Sequence, residues 1–477
     1  MKVRYIGLIL GPLLFLTLLQ LPHPEEMQAA AWKVIAVAIL MLVWWVTEAV
    51  PLPVTALLPM VLLPLLDVKA MEAAAAPYAS PIVFLFMGGF MLALAMERWN
   101  LHRRIALRIV RITGTNANGI ILGFMLATAF LSMWISNTAT TVMMLPIAVS
   151  VIDLLTKDNT DLPRRNIQYF ALSMMLGIAY AANIGGTATI IGTPPNVVFA
   201  GVMRKNYGIE VSFAKWLILG LPFAAILLTM TYLFLVRVLY RSGLGKFPGA
   251  TELIERELKK LGRPSTGERR TLIVFATTAF CWIFRSQLNL VLPFTLSDYL
   301  IAVIATIVLF IVPVDLKKGT VLLRWQDTQR LPWGILLLFG GGLSLAGALK
   351  DTGLIDLIGS QFNELQGVGL LVILGLTTVS LFLTEVMSNV ALVAVFVPVV
   401  AGVAVGMDIS PVQMCIPVTL AASCAFMLPM STPPNAIVFA SGHVTVPQMV
   451  RAGFLLNIAS ILLIALLSTF VIPLLFS

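Results

Sequence analysis

The chain has 477 residues, of which 59% are hydrophobic and only 11% charged, and its 31 Lys and Arg outnumber 22 Asp and Glu for a formal charge of +9. A soluble domain carries about 25% charged residues, so this composition, with a mean hydropathy of +0.97, excludes an ordinary water-soluble globule. It describes a polytopic helical membrane protein whose core solvent is the lipid bilayer.

The positive balance is a statement about loops, because short cytoplasmic loops collect Lys and Arg; it does not imply nucleic acid. Cys281, Cys415 and Cys424, like His23, His102 and His443, lack metal-ligand spacing, so disulfides, zinc and haem have no support.

Lys2 and Arg4 precede an apolar run to about Pro22 that has the form of a signal peptide, but the series of similar spans behind it favours a retained first transmembrane helix. Apolar segments near residues 5–21, 30–50, 52–66, 81–97, 166–203, 213–236, 271–286, 298–314, 332–349, 411–441 and 452–475 predict eleven crossings. Two further stretches, 117–155 and 366–405, are each about 40 residues long and carry a polar tripeptide near the middle. The first is flanked by Arg98, Arg103, Arg104, Arg108 and Arg111 and by Lys157, Arg164 and Arg165, so both of its ends belong in the cytoplasm and it should enter and return. The second lies between Lys350, Asp351, Asp356 and Glu364 on one side and Asp408 on the other, a mostly acidic setting that predicts a dip from the opposite face.

With the N-terminus in the cytoplasm and the C-terminus outside, this threading keeps the basic loop 237–270 and Lys317, Lys318, Arg324 and Arg330 in the cytoplasm. The segment from Ser242 to Glu268, with a helix-like charge pattern over Glu252 to Lys260, reads as a solvated cytoplasmic connection.

The halves repeat. Phe84–Gly89 (FLFMGG) matches Leu336–Gly341 (LLLFGG), Ser136 and Asn137 match Ser388 and Asn389, and Pro146 matches Pro398, all 252 residues apart. Thr193, Pro194, Pro195 and Asn196 return as Thr432, Pro433, Pro434 and Asn435 at a spacing of 239, the second copy having a shorter loop. Since one hairpin opens inward and the other outward, the copies have inverted topology, which in secondary transporters puts the binding site at the midplane between repeats.

Interruptions at membrane depth persist only where protein buries them or where they line a cavity. Four are expected here: the tips Ser136-Asn137-Thr138 and Ser388-Asn389-Val390, and the loops Gly185 to Pro195 and Leu428 to Pro434. Each begins a new helix, with Ser, Asn or Thr as N-cap and Pro194 or Pro433 at the first helical position. Free N–H groups there can hold carboxylate oxygens. The same segments supply neutral oxygens for a hard monovalent cation: Ser132, Ser136 and Asn137 with carbonyls near Gly192, and Thr384, Ser388 and Asn389 with carbonyls near Ser431. Ser132 and Thr384 stand four residues before their serines, on the same helix face. Of the acids in apolar context, Glu48 reads as structurally paired, while Glu385 stays open between a structural role and a proton relay.

On WWVTEAVPLPVTALLP (residues 44–59), the paired tips, and the GTPPN and STPPN loops, the chain resembles the divalent anion/sodium symporter family of sodium-coupled dicarboxylate and citrate transporters. The resemblance spans almost the whole chain. It implies a homodimer in a cell membrane (the inner membrane in a bacterium), each protomer having a scaffold domain and a transport domain that moves as an elevator. The expected divisions are scaffold helices at 1–112, a first transport half at 113–241, the cytoplasmic loop at 242–270, further scaffold helices at 271–363 and a second transport half at 364–477.

By motif, the resemblance implies one Na+ held by Ser132, Ser136, Asn137 and the Gly192 carbonyl, and another by Thr384, Ser388, Asn389 and the Ser431 carbonyl. A di- or tricarboxylate would meet Asn137, Thr138, Asn389, Thr193, Pro194, Thr432 and Pro433, together with Val390, where the family pattern has a threonine. Rival readings are a sodium-independent carboxylate exchanger and a transporter of sulfate or phosphate. An intramembrane enzyme is disfavoured because no His or Lys is placed to activate a buried serine.

Overall fold

The computed structural model describes residues 2–114, 116–158, 163–245, 248–362 and 368–476. It is an all-α polytopic membrane protein, and among the described residues the only strands are the short antiparallel pair Pro313–Asp315 and Thr320–Val321. Glu364, which helped to orient the second long stretch, lies outside the described residues.

Among the described residues nine helices are long and apolar enough to cross a bilayer, or ten if the bent pair Thr266–Ile283 and Arg285–Val291 makes one span. Several expected spans are built instead from shorter pieces. The segment 52–66 is divided into Leu52–Thr55 and Leu58–Leu65, 166–203 into Arg164–Thr187 and Pro194–Tyr207, and 411–441 into Pro411–Ala422 and Pro433–Ala440. The prolines explain the restarts, since Pro has no N–H to donate and suits the first turn of a helix.

Each long polar-centred stretch is likewise two helices, Ala117–Ser132 with Asn137–Asp158 and Gly369–Leu383 with Asn389–Gly406. The second arm of each is apolar and long enough to count as a span by length and composition.

The first helix, Lys2–Gln20, shows many apolar side chains to the surface and packs along Ala29–Thr47. Glu48 departs from expectation: it is exposed and has no ion pair among the described residues. It ends Ala29–Thr47 in the left-handed region (φ 47°), its N–H bonded to the Trp44 carbonyl, a conformation that terminates helices.

Two glycines show how backbones come close enough to build the interior. A β-carbon on Gly341, in the repeated Gly-Gly pair, would lie 2.2 Å from the Ala56 carbonyl oxygen, so helix Trp333–Asp351 crosses at the gap between Leu52–Thr55 and Leu58–Leu65. A β-carbon on Gly185 would lie 2.2 Å from the Ala129 carbonyl oxygen, where Arg164–Thr187 meets Ala117–Ser132.

The segment Ser242–Glu268 is more than a solvated connection. Its helix Pro248–Lys260 packs on the amphipathic helix Leu101–Ile112, with Arg103 bonded to Glu257 at 2.6 Å. The Arg104 guanidinium is buried against Glu268 and donates to the carbonyls of Gly262 at 3.0 Å and Leu261 at 3.3 Å. A buried ion pair of this kind holds position strongly, because removing one partner strands the other charge.

Around the site the two copies exchange parts. Arg164–Thr187 is buried continuously from Phe170 and packs on both helices of the first pair and on Pro433–Ala440 from the second copy. Pro411–Ala422 packs in the same way on both arms of the second pair and on Pro194–Tyr207 from the first copy.

Candidate functional site

At the first tip the helix Ala117–Ser132 ends, the chain bends through Met133 to Ser136, and Asn137 opens the next helix. Ser136 caps that helix as expected, its Oγ accepting the Ala139 N–H at 3.2 Å. Ser132 Oγ lies 2.6 Å from Asn137 Oδ1 and 2.7 Å from the Ala182 carbonyl oxygen. Gly186 and Gly192 close the other side: a β-carbon on Gly186 would be 2.7 Å from Asn137 Oδ1 and 3.1 Å from the Gly192 carbonyl oxygen. Ser132, Asn137 and Gly192, three of the four residues expected to hold the first cation, therefore converge.

The second tip repeats the meeting of hydroxyl, asparagine and carbonyl oxygens. Thr384 Oγ1 lies 2.8 Å from Asn389 Oδ1 and 2.8 Å from the Ala422 carbonyl oxygen. Ser388 is the N-cap of Asn389–Gly406 by its backbone, without a side-chain cap bond. Ser431 is buried in the neighbouring break, its Oγ donating to the Leu428 carbonyl at 2.7 Å and accepting the Asn435 amide at 3.0 Å. A hydroxyl has a single proton, so neither Ser132 nor Thr384 can donate to both of its oxygen neighbours. Clusters with more oxygens than protons are suited to a hard cation.

Thr193 and Thr432 are both buried N-caps, with Pro194 and Pro433 at the first helical positions. Thr432 Oγ1 accepts the Asn435 N–H, whereas Thr193 makes no side-chain cap bond. Thr138 is exposed and Val390 half-buried, each at the second position of the helix that its tip opens, while Pro194 and Pro433 open the helices of the neighbouring breaks. Among the described residues no side-chain hydrogen bond joins Thr138 to the oxygen cluster. Beside the first tip is a cavity of about 320 Å³ lined by Leu131, Ile135, Ala139 and Thr140 and, from another side, Glu97 and His102.

The roles of three residues were left unassigned by the sequence. The asparagine of each Thr-Pro-Pro-Asn laces its break shut: Asn196 Nδ2 donates to the Thr189 carbonyl at 2.9 Å, and Asn435 Nδ2 to the carbonyls of Ala425 and Leu428, both at 3.1 Å. Their recurrence at the 239 spacing was the available signal. Glu385, buried at 3% exposure, accepts the N–H groups of Phe426 (2.9 Å), Met427 (3.0 Å) and Leu428 (3.2 Å) and the Asn457 amide (2.8 Å). The carboxylate thus holds the unwound segment after Pro411–Ala422, which resolves its open role towards structure.

Comparison with known proteins gives this geometry a family. A family model described as the sodium:sulfate symporter transmembrane region matches residues 2–477. The chain belongs to that family. It is 41% identical over 475 residues to the sodium-dependent dicarboxylate transporter SdcS of Staphylococcus saprophyticus, covering 98% of this chain and 92% of that one. It is 42% identical over 479 residues to SdcS of Staphylococcus aureus, covering 98% and 91%. These relatives are transporters, not enzymes, in keeping with the absence of an activated nucleophile from the sequence reading.

Two solved transporter structures share the fold at low identity. The YdaH transporter of Alcanivorax borkumensis superposes with a TM-score of 0.56 at 12% identity, covering 100% of this chain and 98% of its own. MtrF of Neisseria gonorrhoeae does so with a TM-score of 0.51 at 11% identity, covering 98% and 94%.

Proposed function

We propose that the protein is a sodium-coupled symporter that takes up a small di- or tricarboxylate of the succinate, fumarate, malate or citrate type. The observation that carries this reading is the duplicated oxygen cluster, Ser132, Asn137 and Ala182 in one copy and Thr384, Asn389 and Ala422 in the other. The relatives named as sodium-dependent dicarboxylate transporters support it.

In this reading Ser132, Ser136, Asn137 and the Gly192 carbonyl hold one Na+, and Thr384, Ser388, Asn389 and the Ser431 carbonyl hold another. The anion lies between the helix openings and meets Asn137, Thr138, Thr193, Pro194, Asn389, Thr432 and Pro433, its charge offset by both cations and by free N–H groups. Because Asn137 and Asn389 face both cation and anion, sodium orders the tips before the anion binds, and partly loaded carriers cross poorly.

The two polar-tipped stretches act as re-entrant hairpins of opposite direction, with the N-terminus in the cytoplasm. Residues 113–241 and 364–477 form a transport domain that moves as an elevator against scaffold helices 1–112 and 271–363 in a homodimer. The test is labelled succinate uptake into proteoliposomes with external sodium exchanged for potassium or choline. Uptake should fall to background after the exchange; uptake that persists would identify a carboxylate exchanger of the same fold.

A second reading, transport of sulfate or phosphate, is favoured by Val390, which takes one hydroxyl away from the place where a second threonine would meet a carboxylate. A hydrogen bond to a charged group contributes about 1.5–3 kcal/mol. Val390→Thr should therefore alter succinate affinity by roughly ten-fold or more and shift the competition profile among succinate, citrate and sulfate. An unchanged profile would remove position 390 from the anion site, and complete inhibition by sulfate but not succinate would favour the oxyanion reading.

A further inference from the structure

The two threonines that open the broken-helix second segments are wired differently. Thr432 Oγ1 accepts the Asn435 backbone N–H at 3.4 Å and the Asn183 Nδ2 group at 3.0 Å. Asn183 belongs to the other copy, on Arg164–Thr187, and is 3% exposed.

Which end of the Asn183 amide faces Thr432 is fixed by its neighbours. Asn435 commits its Nδ2 to the Ala425 and Leu428 carbonyls and to Ser431 Oγ, so its Oδ1 turns towards Asn183 at 3.4 Å and must be met by an N–H. A hydroxyl offers two lone pairs and one proton. Both lone pairs of Thr432 are occupied by N–H groups, and its proton has no acceptor among the described residues. Thr432 is left able only to donate.

The other copy lacks this arrangement. Asn183 directly follows Ala182, whose carbonyl meets Ser132, and the residue that follows the matching carbonyl of Ala422 is Ser423. Its shorter side chain has no hydrogen-bond partner among the described residues, and neither does Asn196 Oδ1, the counterpart of the acceptor that Asn183 reaches. Thr193 consequently keeps the freedom to donate or accept.

We propose that Asn183 is a positioning residue that fixes Thr432 as an obligate hydrogen-bond donor to the transported anion, so that the two ends of the substrate are read unequally. The end at Thr432 must present an acceptor oxygen, as a carboxylate always does, and cannot present an O–H to be accepted, whereas the end at Thr193 accommodates either an acceptor oxygen or an O–H. The proposal rests on the anion site described above and uses the dicarboxylate reading for the anion's identity.

The test uses the full chain in proteoliposomes, with Asn183→Asp, Asn183→Ala, Thr432→Ala and the double variants, reading the succinate KM at saturating sodium, the sodium half-saturation at saturating succinate, and the Tm of the purified protein. Asn183→Asp replaces the N–H with an acceptor that takes the Thr432 proton, and should raise the succinate KM about ten- to hundred-fold. Asn183→Ala should raise it less, sodium half-saturation should stay within about two-fold, and neither substitution should add to the effect of Thr432→Ala.

An unchanged succinate KM overturns the proposal, as do effects that multiply in the double variants or a sodium shift as large as the succinate shift. Should Asn183→Asp fail to fold, Asn183→Ala decides by the same criteria. If the unmodified protein takes up sulfate in place of succinate, the dicarboxylate reading fails and the same comparison on the sulfate KM still decides the role of Asn183. If it takes up no anion, both readings fall.

Discussion

Asn137→Ala and Asn389→Ala should each abolish sodium-driven succinate uptake while leaving the amount of protein in the membrane unchanged. Each asparagine is the first residue of its helix and only partly buried, and alanine is well tolerated in a helix, so the fold loses little. The site loses much more. Without Asn137, Ser132 and the Ala182 carbonyl keep each other's company but the third oxygen of the cluster is gone; without Asn389 the same holds for Thr384 and Ala422. If each amide serves a cation and the anion together, its removal costs two charge-assisted contacts of about 1.5–3 kcal/mol each, and transport falls below detection. Uptake, immunoblots of membranes and sodium-dependent thermal stabilisation of the purified variants would be measured together. Robust uptake by either variant would take that asparagine out of the site, and retained sodium stabilisation with lost uptake would assign it to the anion alone.

The sequence was most informative where the fold repeats itself. A chance Ser or Asn in a membrane helix is usually an interhelical hydrogen bond, but Ser136-Asn137 and Ser388-Asn389 recur at one spacing, and the structure gives them matching neighbours, Ser132 with Ala182 and Thr384 with Ala422. The helix openings at Thr193 and Thr432 were legible because Thr-Pro-Pro joins an N-cap to residues that fit a first turn.

Part of what escaped lies where the copies differ. Asn183 is matched by Ser423, so duplication gave no hint of its reach to Thr432. The carbonyls of Ala182 and Ala422 were invisible because a backbone oxygen has no residue-type signature. The tie between Arg104 and Glu268 joins residues 164 apart in sequence, a pairing that charge patterning along a single helix does not reveal. Glu48 was misread for a related reason: an acid in an apolar context suggests a buried partner, yet the residue ends a helix at the surface.

Glu385→Ala should be among the most damaging single changes in the molecule. The carboxylate is buried and accepts three consecutive backbone N–H groups, from Phe426, Met427 and Leu428, together with the Asn457 amide. Alanine would leave two buried donors, Phe426 N–H and the Asn457 amide, and two half-buried ones, Met427 and Leu428 N–H, without an acceptor. Each buried loss costs about 1–3 kcal/mol, and together they take a large share of the stability of a typical domain. Little folded protein should reach the membrane. Glu385→Gln keeps one acceptor oxygen but turns an NH2 towards N–H groups that need an acceptor, so it should fold with a Tm several degrees lower and transport at a reduced rate. A clamp and a proton relay then part company in the pH profile of uptake. The clamp predicts that Glu385→Gln scales the whole profile down without changing its shape, because the substitution loosens the 426–428 segment at every pH. A relay predicts the loss of one limb of the profile at unchanged Tm, and that result would return Glu385 to the transport chemistry.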